Sequence, residues 1–238
     1  MILGIMQPYF FPYIGHFDLI HYSDRWIVFD VVKYIRHGWM NRNRILHPNE
    51  GWQYIIAPLA KHPADTLISD IAVNDAIAWR DKILGLLQHY RRRAPHYDVV
   101  SDLVRDGLAV PETSLSRLNA HLLATICRFL DIRFDYAFLS EMDLPLGTIA
   151  GPGDWALEIA KAVGASEYVN PPGGRELFEP AAFERAGIRL TIRETAPMQY
   201  ACRGYEYQPG LSIVDVLMWN EPATIRAYLQ GLKETTAS

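Results

Sequence analysis

Met1-Ile2-Leu3-Gly4-Ile5-Met6-Gln7-Pro8-Tyr9-Phe10-Phe11-Pro12-Tyr13-Ile14-Gly15-His16-Phe17-Asp18-Leu19-Ile20 is the stretch on which the fold turns. Residues 2–6 form a short, unbroken apolar run, the pattern of a strand buried on both faces. Pro8 and Pro12 fix their own φ and carry no backbone donor, so the segment after Gln7 is a stiff loop bearing Tyr9, Phe10 and Phe11. From residue 14 the apolar positions fall at 14, 17, 19 and 20, a helical spacing, with Gly15 and His16 at its start. A second apolar run, 26–29, ends at Asp30. Strand, rigid loop, helix and strand in this compass predict a βαβ unit with a parallel pair. Where a loop leaves the carboxyl end of such a strand and enters a helix, ligands sit.

Outward from this unit the pattern continues. Residues 52–57 read as a strand closed by Pro58, and 66–73 as a short edge strand. A helical region follows: 76–90, a weaker segment at 97–107, and 114–130, whose apolar stripe runs from Leu115 to Leu130 behind a Thr113 or Ser114 cap. Residues 134–139 return to a strand pattern. Asp154 caps a helix over 155–163 that Gly164 ends. A strand at 168–169 runs into Asn170-Pro171-Pro172-Gly173-Gly174. A short helix over 180–186, a strand over 188–192, and helices over 211–219 and 222–232 complete the chain, with a polar, frayed tail over 233–238. The expectation is one α/β domain over 1–238, a largely parallel sheet with flanking helices, and a helical insertion at 74–132.

Composition narrows the function classes. The chain has 238 residues, half of them apolar, enough for a sizeable core. A net charge of −4 carries no signature of a nucleic-acid partner. No apolar run approaches the ~20 residues of a membrane span. The first residues lack the layout of a secretory leader, so a cytoplasmic protein is expected. The two cysteines, Cys127 and Cys202, form no disulfide framework or zinc pattern, and the histidine spacings show no metal site. No metal or cofactor is expected.

Four groups of residues carry chemistry. Gln7 ends the first strand with its amide toward a cleft, beside Tyr9. Gly15-His16 resembles the second half of the His-x-Gly-His signature of nucleotidyltransferases, with Tyr13 at the first histidine position; this half-match suggests a layout similar to that of nucleotidyltransferase and HUP-type α/β domains. Asp30 ends the second strand, followed by Lys33, Trp39, Asn41, Arg42 and Arg44. Arg42 and Arg44 share one face if the segment is extended, and guanidinium forks beside a tryptophan suit a phosphate or carboxylate. Asn170, Gly173 and Gly174 bring bare backbone to a strand end, either as a ligand cradle or as an ordinary turn. Tyr200 and Cys202 lie in an aromatic loop with Arg203 beside the thiol. Ser212 reads as a helix cap, and Cys127 as core.

The blocks Gln7-Pro8-Tyr9-Phe10-Phe11-Pro12-Tyr13-Ile14-Gly15, Asp30, Lys33-Tyr34-Ile35 and Gly38-Trp39-Met40-Asn41-Arg42-Asn43-Arg44 resemble those of the WbqC-like protein family. Tyr168-Val169-Asn170-Pro171, Gly173-Gly174, Glu176-Leu177 and 211–218 match its later blocks. Three positions depart from that pattern: His16 replaces an aromatic, Val31 a second acid and Cys202 a glutamine. The resemblance implies a bacterial protein of surface-polysaccharide or natural-product biosynthesis. It implies a transferase taking an activated sugar or an acyl or aminoacyl donor, free or on a carrier protein.

These residues lead to one expectation with two rivals. The first is N-acyl or aminoacyl transfer to an amino-sugar or similar amine. There Asp30 or His16 serves as general base. Gln7, Tyr9 and Asn41 orient the substrate, and Lys33, Arg42 and Arg44 hold its anionic group. The rivals are nucleotidyl transfer, and a non-catalytic module that binds a nucleotide-sugar.

Overall fold

The computed structural model describes residues 1–236. Five strands form a parallel sheet: β1 (Ile2–Met6), β2 (Arg25–Val28), β5 (Tyr136–Phe138), β6 (Glu167–Asn170) and β7 (Arg189–Ile192). Their spatial order is β5-β2-β1-β6-β7, every pair parallel. The chain therefore builds outward from β1 to one edge and then returns to its other side. The strand order reverses between β1 and β6, the topological switch point of a doubly wound sheet.

The alternation in β1 sends Leu3 and Ile5 to one face, where they join Ile159, Ala160 and Phe183 of α5 (Asp154–Ala162) and α6 (Pro180–Arg185). On the other face lie α1 (Ile14–Tyr22) and α8 (Pro222–Thr236), which pack on each other. Gly4 points to that second face. A Cβ there would stand 2.4 Å from the Trp26 ring, so only a glycine lets this indole lie flat across the strand.

Between β2 and β5 the chain inserts a separate antiparallel hairpin, β3 (Arg42–Leu46) with β4 (Trp52–Ile56), and then α2 (Trp79–Leu87), α3 (Tyr97–Leu108) and α4 (Leu115–Phe129). The helical insertion agrees with the sequence reading, and the Ser114 hydroxyl caps α4 by accepting from Arg117 N. The edge strand expected over 66–73 is instead one 3-10 turn, Ile68–Asp70, with isolated bridges on either side (Lys33 to Leu67, Leu59 to Val73). Ile68 and Ile71 both turn into the core, which a flat edge strand would not permit. Helix α8 continues to Thr236, so the frayed tail is helical that far and beyond it lies outside the described residues. The strands over 26–29 and 134–139 shift by a residue or two.

Two buried polar ties fix the final segment, α7 (Ile213–Trp219) and the loop before it. Arg193, just past β7, grips Asp18 of α1 through Nε and Nη2, each at 2.8 Å, and the Thr195 hydroxyl donates to the same carboxylate. Asp215 of α7 accepts from the Tyr90 and Tyr200 hydroxyls and from Leu46 N. No helix among the described residues is long and apolar enough to cross a membrane.

Candidate functional site

A cavity of about 620 Å³ opens at the carboxyl ends of β1 and β6, at the switch point. Its floor is the end of β1, Met6 and Gln7. The Gln7 amide has no side-chain or backbone partner among the described residues and is free for a ligand.

The proline-bound loop gives Tyr9 and Tyr13 to the rim because Phe10 and Phe11 turn away, both at 2% exposure or less. This split depends on Phe11 adopting φ +41°, a left-handed conformation costing about 1–2 kcal/mol for a bulky residue. Backbone bonds hold it there: Phe10 N donates to Trp39 O at 2.9 Å, Ile213 N to Pro12 O at 2.8 Å, and the Ser212 hydroxyl to Phe11 O at 2.8 Å. Burial, and the neighbouring Tyr13, push the Tyr9 hydroxyl above the usual phenol range, and burial likewise raises Tyr13. Both stay protonated and can donate.

The hairpin supplies the cation. In β3 the alternation buries Asn43 and turns Arg42 and Arg44 to one face, opposite Ile56 and Tyr54 of β4. The Arg44 guanidinium lies 5.2 Å from the Trp39 ring centre and 5.0 Å from that of Trp52, and Nη2 donates to Gly210 O at 3.2 Å. No carboxylate pairs with it among the described residues. Two indole faces and one carbonyl hold the fork without neutralising it, which is how a protein keeps a cation available for an anionic ligand. Asn43 fixes the strand by donating to Phe10 O and accepting from Arg44 N.

The opposite wall comes from α5 and β6. Asp154 shapes the approach to α5 by accepting from the Ala150 and Gly151 amides, rather than capping the helix forward. A Cβ on Gly153 would stand 1.8 Å from Leu177 O, so this loop closes tightly over the segment after β6. Trp155 then faces the cavity. Asn170 is committed internally: Nδ2 donates to Pro171 O and Oδ1 accepts from the Tyr168 hydroxyl. Gly174 packs on that amide, where a Cβ would be 2.2 Å from Nδ2, whereas nothing lies within 4 Å of a Cβ on Gly173. The Gly-Gly pair therefore divides its work, one for close packing and one open to the cleft.

The structure thus brings together Gln7, Tyr9, Trp39, Arg44, Asn170, Gly173 and Gly174. The other sequence-predicted residues lie outside the cavity wall. Asn41 braces the hairpin through Ala57 O and the Tyr34 hydroxyl. Arg42 lies over the Tyr54 ring and donates to His37 O, and Lys33 is exposed beside Leu67. Asp30 is buried and accepts from Ser140 N, the Ser140 hydroxyl and the Ser116 hydroxyl. His16 is buried between the Tyr9 and Trp26 rings, neither ring nitrogen has a partner, and burial lowers its pKa to about 3. Tyr200 lines a second, smaller cavity. Cys202 is buried and its thiol is pushed up to about 12, by burial first and by Asp215 second.

Tyr13, Asn43, Trp155 and Gly210 are among the wall residues that the sequence reading did not assign to the site. Tyr13 carried a signal by its place in the loop after β1, and Trp155 as the first large side chain of a helix; Asn43 and Gly210 carried none.

Fold and site define a doubly wound α/β protein with an aromatic, cation-bearing cleft at the switch point. The chain belongs to the WbqC-like protein family, whose model matches residues 7–227. It is similar to the uncharacterized protein Rv1507c of Mycobacterium tuberculosis, at 29% identity over 235 residues that cover 98% of this chain and 99% of that one. No solved structure matches.

Proposed function

We propose that this protein is a group-transfer enzyme of polysaccharide or natural-product biosynthesis that moves an acyl or aminoacyl group onto the amine of an amino-sugar or similar acceptor. The observation that carries the reading is Arg44, an uncancelled guanidinium between two indoles at the mouth of the switch-point cleft. Its fork matches the phosphate or carboxylate of an activated substrate. Trp39 and Trp155 offer faces for a planar or sugar ring, and the free Gln7 amide fixes orientation on the floor. Tyr9 and Tyr13 are neutral donors for the oxygen on which negative charge develops.

In the step itself the acceptor nitrogen bonds to the acyl carbon of a thioester donor. The carbon–sulfur bond breaks, and the amine proton leaves with the thiol. Proximity and orientation supply most of the acceleration, because the cavity wall contains no side chain that takes a proton near neutral pH. We assign His16 and Asp30 to positioning: His16 backs Tyr9, and Asp30 anchors the strand ends. The test is acetyl or glycyl transfer from a thioester of N-acetylcysteamine to a nucleotide-linked amino-sugar. R44Q and Q7A are expected to lower kcat/KM at least 100-fold in a folded protein; wild-type turnover unchanged in both overturns the reading.

The placement of both candidate bases behind the wall favours a second reading, a non-catalytic module that holds a nucleotide-sugar. Binding of the nucleotide-sugar without product from any thioester supports that module.

A further inference from the structure

Two cavities share one partition. The smaller, about 280 Å³, lies between α1, the 195–200 segment and the start of α7, and Tyr13 and Gly210 line both cavities. Its chemistry differs from that of the cleft. No charged side chain lines it. Ile14, Pro197, Met198, Leu211 and Val216 give it an aliphatic wall. The three hydroxyls with protein partners are already committed: Thr195 donates to Asp18, Tyr200 to Asp215 and Tyr207 to Met198 O. Burial, Asp215 and Cys202 hold the Tyr200 phenol protonated. A polar ligand group entering here would lose its water and find few partners, whereas an apolar one would meet matching surface.

The partition also carries the cation. Arg44 donates to Gly210 O, so its guanidinium stands at the junction of the two spaces. We infer that the smaller cavity is an apolar subsite for the aliphatic acyl chain of a ligand whose anionic or reacting carbonyl end lies at Arg44. The volume is near the ~300 Å³ lower end for small-molecule sites, which suits a chain rather than a whole substrate. This rests on the anion-binding reading of the cleft and deepens it, because it names an acyl donor with a carbon tail. The walls are rigid on the α7 side: Ser212 caps that helix, and Asp215 is tied to Tyr90 and Tyr200. The 195–200 side is held through Arg193 and Thr195 on Asp18.

The experiment titrates straight-chain carboxylates, acetate through octanoate, into protein labelled at Ile, Leu and Val methyls. Affinity is expected to rise about fourfold per added methylene (~0.8 kcal/mol) until the chain fills the pocket. Octanoate should shift the Ile14, Leu211 and Val216 methyls, and acetate should not. A196W, which fills the cavity from an exposed alanine on its wall, should flatten the chain-length series. A flat series in the wild type, or an unchanged slope in A196W, overturns the subsite. R44Q separates the two readings. If octanoate still shifts those methyls and R44Q leaves its affinity unchanged, the subsite stands and the anion role of Arg44 falls.

Discussion

Replacing His16 by phenylalanine should make the protein less sensitive to acid. His16 is 1% exposed, lies between Tyr9 and Trp26, and has no partner at either ring nitrogen. Burial alone lowers its pKa to about 3, against 6.5 in the unfolded chain. The unfolded chain therefore binds a proton below pH 6.5 that the native protein refuses. Stability from this site is complete above pH 6.5 and falls as pH drops toward 3. At pH 5, about 1.5 units below the unfolded value, the wild type has lost about 2 kcal/mol at 1.36 kcal/mol per unit. Phenylalanine cannot take the proton. It also removes buried nitrogens that cost ~1–3 kcal/mol each, offset by up to about 1.5 kcal/mol for its larger ring. Urea unfolding followed by tryptophan fluorescence at pH 5, 6, 7 and 8 measures the difference between H16F and wild type. That difference should grow by about 2 kcal/mol in favour of H16F from pH 7 to pH 5. Other titrating groups are common to both proteins and cancel. A gap that does not change with pH refutes the burial argument.

Asp215 should act in the opposite direction. Burial raises its carboxyl to about 6, against the bonds from Tyr90 and Tyr200 that lower it. The native protein then holds a proton that the unfolded chain gives up near pH 4, so the stability that this site contributes falls by about 2 kcal/mol as pH rises from 4 to 6 and is nearly gone by pH 7. His16 titrates over the same range with the opposite sign and is common to both proteins, so the stability gap between wild type and D215N, measured by urea unfolding from pH 4 to pH 7, should close by that amount, and a gap that stays constant would rule this out. D30A should lower stability by about 3 kcal/mol, since it strips a carboxylate from Ser116 and Ser140 in the interior, and a urea midpoint within error of wild type would contradict it. G174A should displace the Asn170 side chain, costing about 2 kcal/mol by thermal or urea unfolding, whereas G173A should be neutral.

Much of the fold was legible because its signals are local. The apolar run of β1, the prolines after it and the switch to helical spacing at residue 14 all lie within one short window. The αL glycine at 164 and the serine caps at 114 and 212 mark helix ends in the same local way. Site residues were legible where they end a strand of the sheet: Gln7 after β1, and Asn170 to Gly174 after β6. Arg44 was legible by alternation once the segment was taken as extended. What stayed hidden is which way a residue faces at a strand end. Asp30 ends β2 as Gln7 ends β1, yet its partners Ser116 and Ser140 lie 86 and 110 residues away, and no local pattern announces them. His16 and Tyr9 are likewise seven residues apart and touching, one inside the wall and one on it. Tyr13 is bridged to Ser212, about 200 residues on, by the same kind of distant contact, so the partition between the cavities had no sequence signature.

The hydroxyl of Ser212 on the carbonyl of Phe11 spans 201 residues of chain. Ribosomes extend a chain at about 5–20 residues per second, so the proline loop waits roughly 10–40 s for the segment that locks it. Until then Phe10 can already meet Trp39, Asn43 and Trp79, but Phe11 lacks the bonds from Ser212 and Ile213 that hold the loop around its left-handed conformation. The cleft is consequently one of the last parts of the molecule to be assembled, although its floor is among the first to be made.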